Sequence, residues 1–460
     1  MSSNPATQSH LTKAPITWSS RFAFIMASTG AAVGLGNIWK FPYMAGENGG
    51  GAFVCLYLLA ILLIGIPTMI AEILIGRLGQ ANPIDSFRLL AKKYHKSPAW
   101  QLIGWWGALG LTLVLSFYSV IAGWSLAYLY KAITGSLNHL HAGQIQDIWV
   151  DFLSSPLSLV LWHTFFMFIT LAVVAKGVQA GIERISKIMM PLLFIILVIL
   201  MLYSCFTGNF TAAWNFLVIP DFAKITPSVI IYALGHAFFT LAIGAGAMLV
   251  YGSYLPPKTK IAQSVCIIAG LDVLVALLAG FAIFPLVFGH NLSPEAGPGL
   301  MFKVLPIAFS YMPLGPVIGS LFFILLWFAA WSSTLSMAEP LVMLLMERMH
   351  LKRHTASWIV GSVCWLAGVA AALSFNVWHS IKIFHKFTIF DAMADLTTNI
   401  LLPLGGLAFV IFAGWKIPMA ISREELSIKR PIILFYVWRF LVRYIAPLGI
   451  MVIFFWNLWY

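Results

Sequence analysis

Gly30-Ala31-Ala32-Val33-Gly34-Leu35-Gly36-Asn37 lies inside the first long apolar segment of the chain, between Phe22 and Tyr43. Glycine in a helix interior costs about 1 kcal/mol relative to alanine. Three glycines and an asparagine in eight residues predict that a helix begun at Phe22 breaks here. A break frees backbone N–H and C=O groups that hydrocarbon cannot satisfy, so the segment must be buried in protein or line a polar cavity. The stretch therefore reads as a binding site.

The surrounding composition fixes the solvent. Of 460 residues, 61% are hydrophobic and 9% charged, and the mean hydropathy is +0.92, whereas a soluble domain carries about 25% charged residues. The chain reads as an all-α integral membrane protein, since its apolar runs have helical length and lack the alternation of a barrel. The segments are 21–45, 52–76, 99–130, 157–175, 185–206, 227–252, 262–288, 314–346, 355–374, 390–415 and 436–459, which makes eleven spans. Arg439 and Arg443, near the start of the last, are placed to snorkel to the interface. The polar residues 1–20 lack the pattern of a cleaved signal and read as an N-terminal tail. With that tail inside, 21 of the 27 Lys and Arg residues fall on the cytoplasmic side, as the positive-inside rule requires. The net charge of +12 is thereby explained by lipid headgroups, without nucleic acid. Cys55, Cys205, Cys266 and Cys364 show no metal-binding or disulfide spacing and read as packing residues.

A second break is expected at Thr240-Leu241-Ala242-Ile243-Gly244-Ala245-Gly246-Ala247, five spans after the first. Paired glycine-interrupted spans in two halves point to a secondary transporter of inverted repeats, with its site near mid-membrane. The halves are 21–206 and 227–415, followed by a last helix at 436–460.

The run from Trp18 to Gly51, with GAAVGLGNIWKFPY (30–43) and ENGGGAF (47–53), closely resembles the signature of the neurotransmitter:sodium symporter family. The similarity continues through IPTMIAEILIGR (66–77), GIERISKIMMP (181–191), FFTLAIGAGAM (238–248), the surroundings of Asp272 and FAAWSSTLSMAEP (328–340). It implies a LeuT-like fold, with two inverted five-helix repeats and discontinuous helices 1 and 6. The eleven-helix form is typical of bacteria, hence a bacterial cytoplasmic (inner) membrane location.

The same resemblance implies the ligand sets. One sodium site would use the Ala32 carbonyl, Asn37, Thr240 and Asp272, completed by the substrate carboxylate. The other would use the carbonyls of Gly30, Val33 and Ala329 with the hydroxyls of Ser332 and Ser333. A carboxylate at membrane depth is costly and functional by default, which singles out Asp272. Chloride is not expected, because Ala276 stands where chloride-dependent relatives carry a serine and Asp272 supplies the negative charge itself. Tyr118 and the amides of Leu35 and Gly36 would hold the substrate carboxylate. Gly34 stands where monoamine carriers have aspartate. Val33, Val114, Phe239, Ala242, Ala245, Ser333 and Met337 would line an uncharged side-chain subsite, widened by Ala242 and Ala245. Glu72 would support the first break, and His236 reads as a packed, hydrogen-bonded histidine.

The gates depart from the family. Lys40 replaces the usual arginine and lacks its bidentate fork, and Ala394 takes its acidic partner's position between Asp391 and Asp395. On the cytoplasmic side Trp18, Tyr254 and Glu347 match the family gate, while Pro15 stands at the basic position with Lys13 nearby. These residues predict a sodium-coupled symporter of neutral hydrophobic or aromatic amino acids working by alternating access. The alternative is a membrane receptor or sensor that binds such a ligand without moving it. A membrane enzyme finds no nucleophile–base or metal constellation. Neither the exact substrate nor an oligomeric state is legible.

Overall fold

The computed structural model describes residues 17–256, 258–290, 292, 299–383, 385–426 and 432–459. Lys13 and Pro15 lie outside the described residues. Nine helices among those described are long and apolar enough to cross a membrane. They are α3 (Gly51–Gly79), α5 (Pro98–Ile133), α6 (Pro156–Val174), α7 (Val178–Thr207), α10 (Ile261–Gly289), α11 (Gly315–Arg348), α12 (Arg353–Leu373), α13 (Ile389–Lys416) and α14 (Ile433–Leu458). A tenth span is the pair α1 (Arg21–Ala32) and α2 (Gly36–Glu47), bent by 51°. The short helices α8 (Pro227–Thr240) and α9 (Ala247–Ser253) flank the second break and supply the eleventh segment. The amphipathic α4 (Pro83–Lys93) connects α3 to α5.

Proline shapes many of these helices. Wide turns at Gly36–Lys40, Ile61–Gly65, Leu300–Val304, Leu396–Leu401 and Leu441–Ile445 each end two residues before a proline. Its missing N–H removes one rung of the helical ladder, and the turn ahead of it widens. In α1 the Ser20 hydroxyl instead accepts the Ala23 N–H and sets a clean start.

Packing sorts the helices into centre and periphery. Helix α1 is buried along nearly its whole length and packs on α7, α10 and α11, while α11 also packs on α5. Outward faces carry large apolar residues such as Leu58, Leu62, Phe165, Phe168, Ile195 and Phe455, the mark of a lipid-facing surface. Two expectations change. Arg439 is buried and donates to the carbonyls of Ala413 and Ile417, both at 3.1 Å, and Arg443 donates to Gly414 O at 2.8 Å. These arginines cap the end of α13, where carbonyls lack helical partners; they do not both snorkel. Of the four cysteines only Cys364 is buried, and Cys55 and Cys266 lie on the surface.

Candidate functional site

Helix α1 stops because Val33 turns extended, with φ −71° and ψ 103°. The amides beyond it find side-chain acceptors: Gly34 N–H donates to Asn37 Oδ1 at 3.1 Å and Leu35 N–H to the Tyr118 hydroxyl at 2.9 Å. Gly34 is packed closely: a Cβ there would lie 2.5 Å from Ser333 Oγ and 2.8 Å from the Tyr118 hydroxyl, so a side chain would require those hydroxyls to shift.

The second break runs from Leu241 to Gly246, with positive φ at Ala242 (51°), Gly244 (98°) and Gly246 (93°). Its freed amides meet Glu72, whose carboxylate accepts from Gly244 N at 2.9 Å, Met248 N at 3.1 Å and Leu249 N at 3.3 Å. Glu72 therefore supports the second break and not the first. The reason is electrostatic: the exposed N–H groups that open α9 attract an anion.

Asp272 lies between both breaks, fully buried. Its carboxylate accepts from Asn37 Nδ2 at 2.8 Å, from Thr240 Oγ1 at 3.2 Å and from the Tyr57 hydroxyl at 3.2 Å. Asn37, Thr240 and Asp272 thus come together as expected residues, and Tyr57 joins them unforeseen. Tyr57 left one signal in the sequence, a phenol within an apolar span, which at depth must find a partner. His236 is packed as expected, with its ring 5.2 Å from that of Tyr57. Contrary to expectation, neither of its nitrogens has a hydrogen-bond partner among the described residues.

The other oxygen set also converges. Ser332 Oγ lies 3.5 Å from Val33 O and 3.1 Å from Ala329 O. Ser333 Oγ lies 3.4 Å from both Gly30 O and Val33 O and 3.2 Å from Ala329 O. Two hydroxyl protons cannot serve five such contacts, so the cluster has more acceptors than donors. Oxygens about 2.4 Å from a six-coordinate cation stand about 3.4 Å apart, which matches this spacing.

Between the breaks is a cavity of about 50 Å³ lined by Ala31, Ala32, Gly34, Gly36, Leu111, Val114, Tyr118, Phe239, Thr240, Ala242, Ala245, Ala247, Ser333, Met337 and Leu402. None of these residues is charged. Ala31, Leu111, Ala247 and Leu402 were not foreseen, because their contribution depends on helix rotation and on how α13 packs. Two expected wall residues differ. Val33 is fully buried and turns its carbonyl to the serine cluster, and Leu35 lines an adjoining cavity of about 260 Å³.

That second cavity shares Gly36, Tyr118 and Phe239 with the first and is also lined by Lys40, Phe390 and Ala394. Among the described residues Lys40 makes no ion pair; its ammonium sits 4.3 Å from the centre of the Phe239 ring. Asp391 is engaged by Thr388 and Asp395 by Asn399, so neither acid replaces the partner lost at Ala394. At the opposite end Trp18 is buried, donating from Nε1 to Tyr251 O at 2.9 Å and from its backbone N to Tyr254 O at 3.0 Å. The Tyr254 hydroxyl donates to Glu339, which is ion-paired with Arg353. Glu347, matched to this gate in the sequence, instead accepts from Asn82 at 2.8 Å. The nearer acid, Glu339, lies two turns earlier on α11.

Residues 16–151 and 153–459 match the Sodium:neurotransmitter symporter family. An uncharacterized sodium-dependent transporter, YhdH, of Bacillus subtilis (strain 168) is 41% identical over 96% of this chain and 97% of its own length. One from Haemophilus influenzae is 36% identical over 96% and 98%. The crystal structure of MhsT in complex with L-phenylalanine superposes with a TM-score of 0.88 at 40% identity, covering 95% of this chain and 99% of that one. The broken helices, the two oxygen clusters and the cavity between them therefore belong to a multi-pass transporter of the LeuT fold, and the chain is a member of the sodium:neurotransmitter symporter family.

Proposed function

We propose that the protein is a sodium-coupled symporter of neutral amino acids with hydrophobic or aromatic side chains. The observation that carries this reading is the cavity itself, which joins the Tyr118 hydroxyl and the first break to an apolar end without a charged side chain. An amine finds no carboxylate at position 34, which is glycine, so the ligand brings its own anion. That carboxylate completes the Ala32–Asn37–Thr240–Asp272 ion site. Substrate and sodium then strengthen each other's binding, as linkage demands. The cluster at Ser332 and Ser333 takes a second sodium, and Asp272 makes chloride unnecessary. The likeness to MhsT bound to L-phenylalanine supports an aromatic-sized substrate.

Transport proceeds by alternating access. Phe239 and Tyr118 close over the substrate from the side of Lys40, and the packing around Trp18 opens on the other. The membrane is a bacterial cytoplasmic membrane with the N-terminus inside. Uptake of radiolabelled phenylalanine, leucine and alanine into proteoliposomes under an imposed sodium gradient tests the reading. Concentrative uptake lost when potassium replaces sodium is expected. Sodium-dependent binding without uptake would instead identify a receptor.

A further inference from the structure

The walls of the cavity include a length of chain that its own conformation does not make rigid. Gly244 and Gly246 both have positive φ, and glycine gives the backbone freedom there. Glu72 holds the N–H groups of this segment. Its carbonyls are held differently: Gly244 O faces Gly405 of α13, and Ala245 O faces Gly107 of α5. A Cβ built on Gly405 would lie 1.9 Å from Gly244 O, and one on Gly107 would lie 2.5 Å from Ala245 O. Both contacts are with backbone atoms, which cannot rotate aside. Glycine is a poor helix former, and at these two helix positions close approach of the break explains its presence.

The two helices that grip the break also line the cavity. Gly107, Leu111, Val114 and Tyr118 share one face of α5 by their spacing, and Leu402 of α13 sits three residues before Gly405. Ala242, Ala245 and Ala247 of the gripped segment form the wall between them. We propose that Gly107 and Gly405, which do not touch the cavity, set the width of its side-chain end by clamping the backbone of residues 241–246. This rests on the amino-acid reading above. A methyl on either glycine displaces the segment by on the order of 1 Å in a close-packed interior. The open volume beside the segment is the cavity, so the segment moves inward and large side chains are rejected first. Simple close packing of helices predicts lower stability with unchanged selectivity.

Gly405→Ala and Gly107→Ala, with Gly270→Ala as control because nothing lies within 4 Å of its added Cβ, are compared in proteoliposomes. The ratio of phenylalanine to alanine uptake should fall about tenfold in the first two and stay unchanged in the control, with the same sodium half-saturation. Hydrogen exchange of the 241–249 amides, which needs no substrate, should speed up in the first two alone. If Gly405→Ala does not fold, Gly107→Ala, with its smaller overlap, decides by the same two readouts. A phenylalanine-to-alanine ratio within about twofold of wild type in a folded, alanine-transporting variant overturns the proposal, as does unchanged exchange. Wild-type protein that takes up neither amino acid sinks the amino-acid reading instead, and the exchange result then still decides whether the clamp exists.

Discussion

Glu72 of α3 accepts the Gly244 N–H at 2.9 Å, so a single buried carboxylate spans from one helix to the unwound middle of another. It also takes the Met248 and Leu249 amides that open α9. Charge-assisted hydrogen bonds of this kind are roughly twice as strong as neutral ones. Glu72→Gln turns an amide NH2 toward these donors and leaves at least one N–H unsatisfied. Stability should fall by about 1–3 kcal/mol, read by thermal unfolding in detergent. Substrate affinity should fall with it, because Ala242 and Ala245 ride on the freed segment. A variant with wild-type melting and affinity would show that the segment is held without Glu72.

The serine cluster predicts an order of effects. Ser333 approaches three carbonyls and also lines the cavity, whereas Ser332 approaches two carbonyls and does not line it. Ser333→Ala should raise the sodium half-saturation of substrate binding about tenfold, the equivalent of one lost ion–oxygen contact of about 1.4 kcal/mol. Ser332→Ala should do so less. Unchanged sodium dependence in both variants would exclude the cluster as an ion site.

Lys40 lies over Phe239 and has no acidic partner among the described residues. A cation–π contact contributes about 0.5–2 kcal/mol depending on exposure. Lys40→Met should therefore speed dissociation of bound substrate several-fold, and Lys40→Arg should preserve the slow rate. Stopped-flow release of a pre-bound labelled amino acid measures this, and equal rates for all three proteins would leave Phe239 closing unaided.

The breaks were legible because glycine inside an apolar helix is a local cost that one sequence displays. Asp272 was legible as a carboxylate at membrane depth, whereas Asn37, Thr240 and the two serines were singled out by the family resemblance, since hydroxyls in a membrane helix commonly bond to their own backbone. Residues whose role depends on rotation or on a distant partner were not legible. Leu402 enters the cavity through the packing of α13, and Tyr57 reaches Asp272 from a span whose sequence does not show which face it buries. Glu72 was assigned to the first break by the family resemblance, and nothing in the sequence shows which helix end a buried carboxylate meets. Glu347 and Glu339 lie eight residues apart on α11, and only their partners, Asn82 and Arg353, tell them apart.

Asp85 predicts a pH effect at the membrane surface. Burial alone would raise its carboxyl, but hydrogen bonds from Arg348 and Asn82 with the charges of Arg348 and Arg88 outweigh this and hold its pKa below the ordinary aspartate value. A depressed folded pKa contributes stability that is present above the unfolded value of about 3.9 and is lost as pH falls through the folded one. Thermal stability should therefore decline as pH falls below about 4, and Asp85→Asn should flatten that part of the profile. A variant with the wild-type slope there would assign acid sensitivity to other carboxylates.

Charge balance around Asp272 gives the last prediction. Two sodium ions would bring two positive charges into a site of low dielectric, and a zwitterionic substrate adds no net charge. At about 4 Å and an effective dielectric constant near 20, one carboxylate offsets about 4 kcal/mol of that charge. Asp272 is fully buried and oriented by Asn37, Thr240 and Tyr57, so the offset is built into the protein. The nearby Ala276 offers no hydroxyl to an anion. Uptake by the wild type should be the same in chloride and in gluconate. Asp272→Asn removes the charge while keeping the shape, and in gluconate should weaken sodium binding by about a hundredfold or more. Added chloride should restore part of it if the vacated charge is what was missing. Tyr57→Phe separates charge from orientation: it keeps the carboxylate but removes one donor, and should weaken sodium binding only several-fold, with no response to chloride. Wild-type uptake that collapses in gluconate would show that Asp272 does not carry the compensating charge.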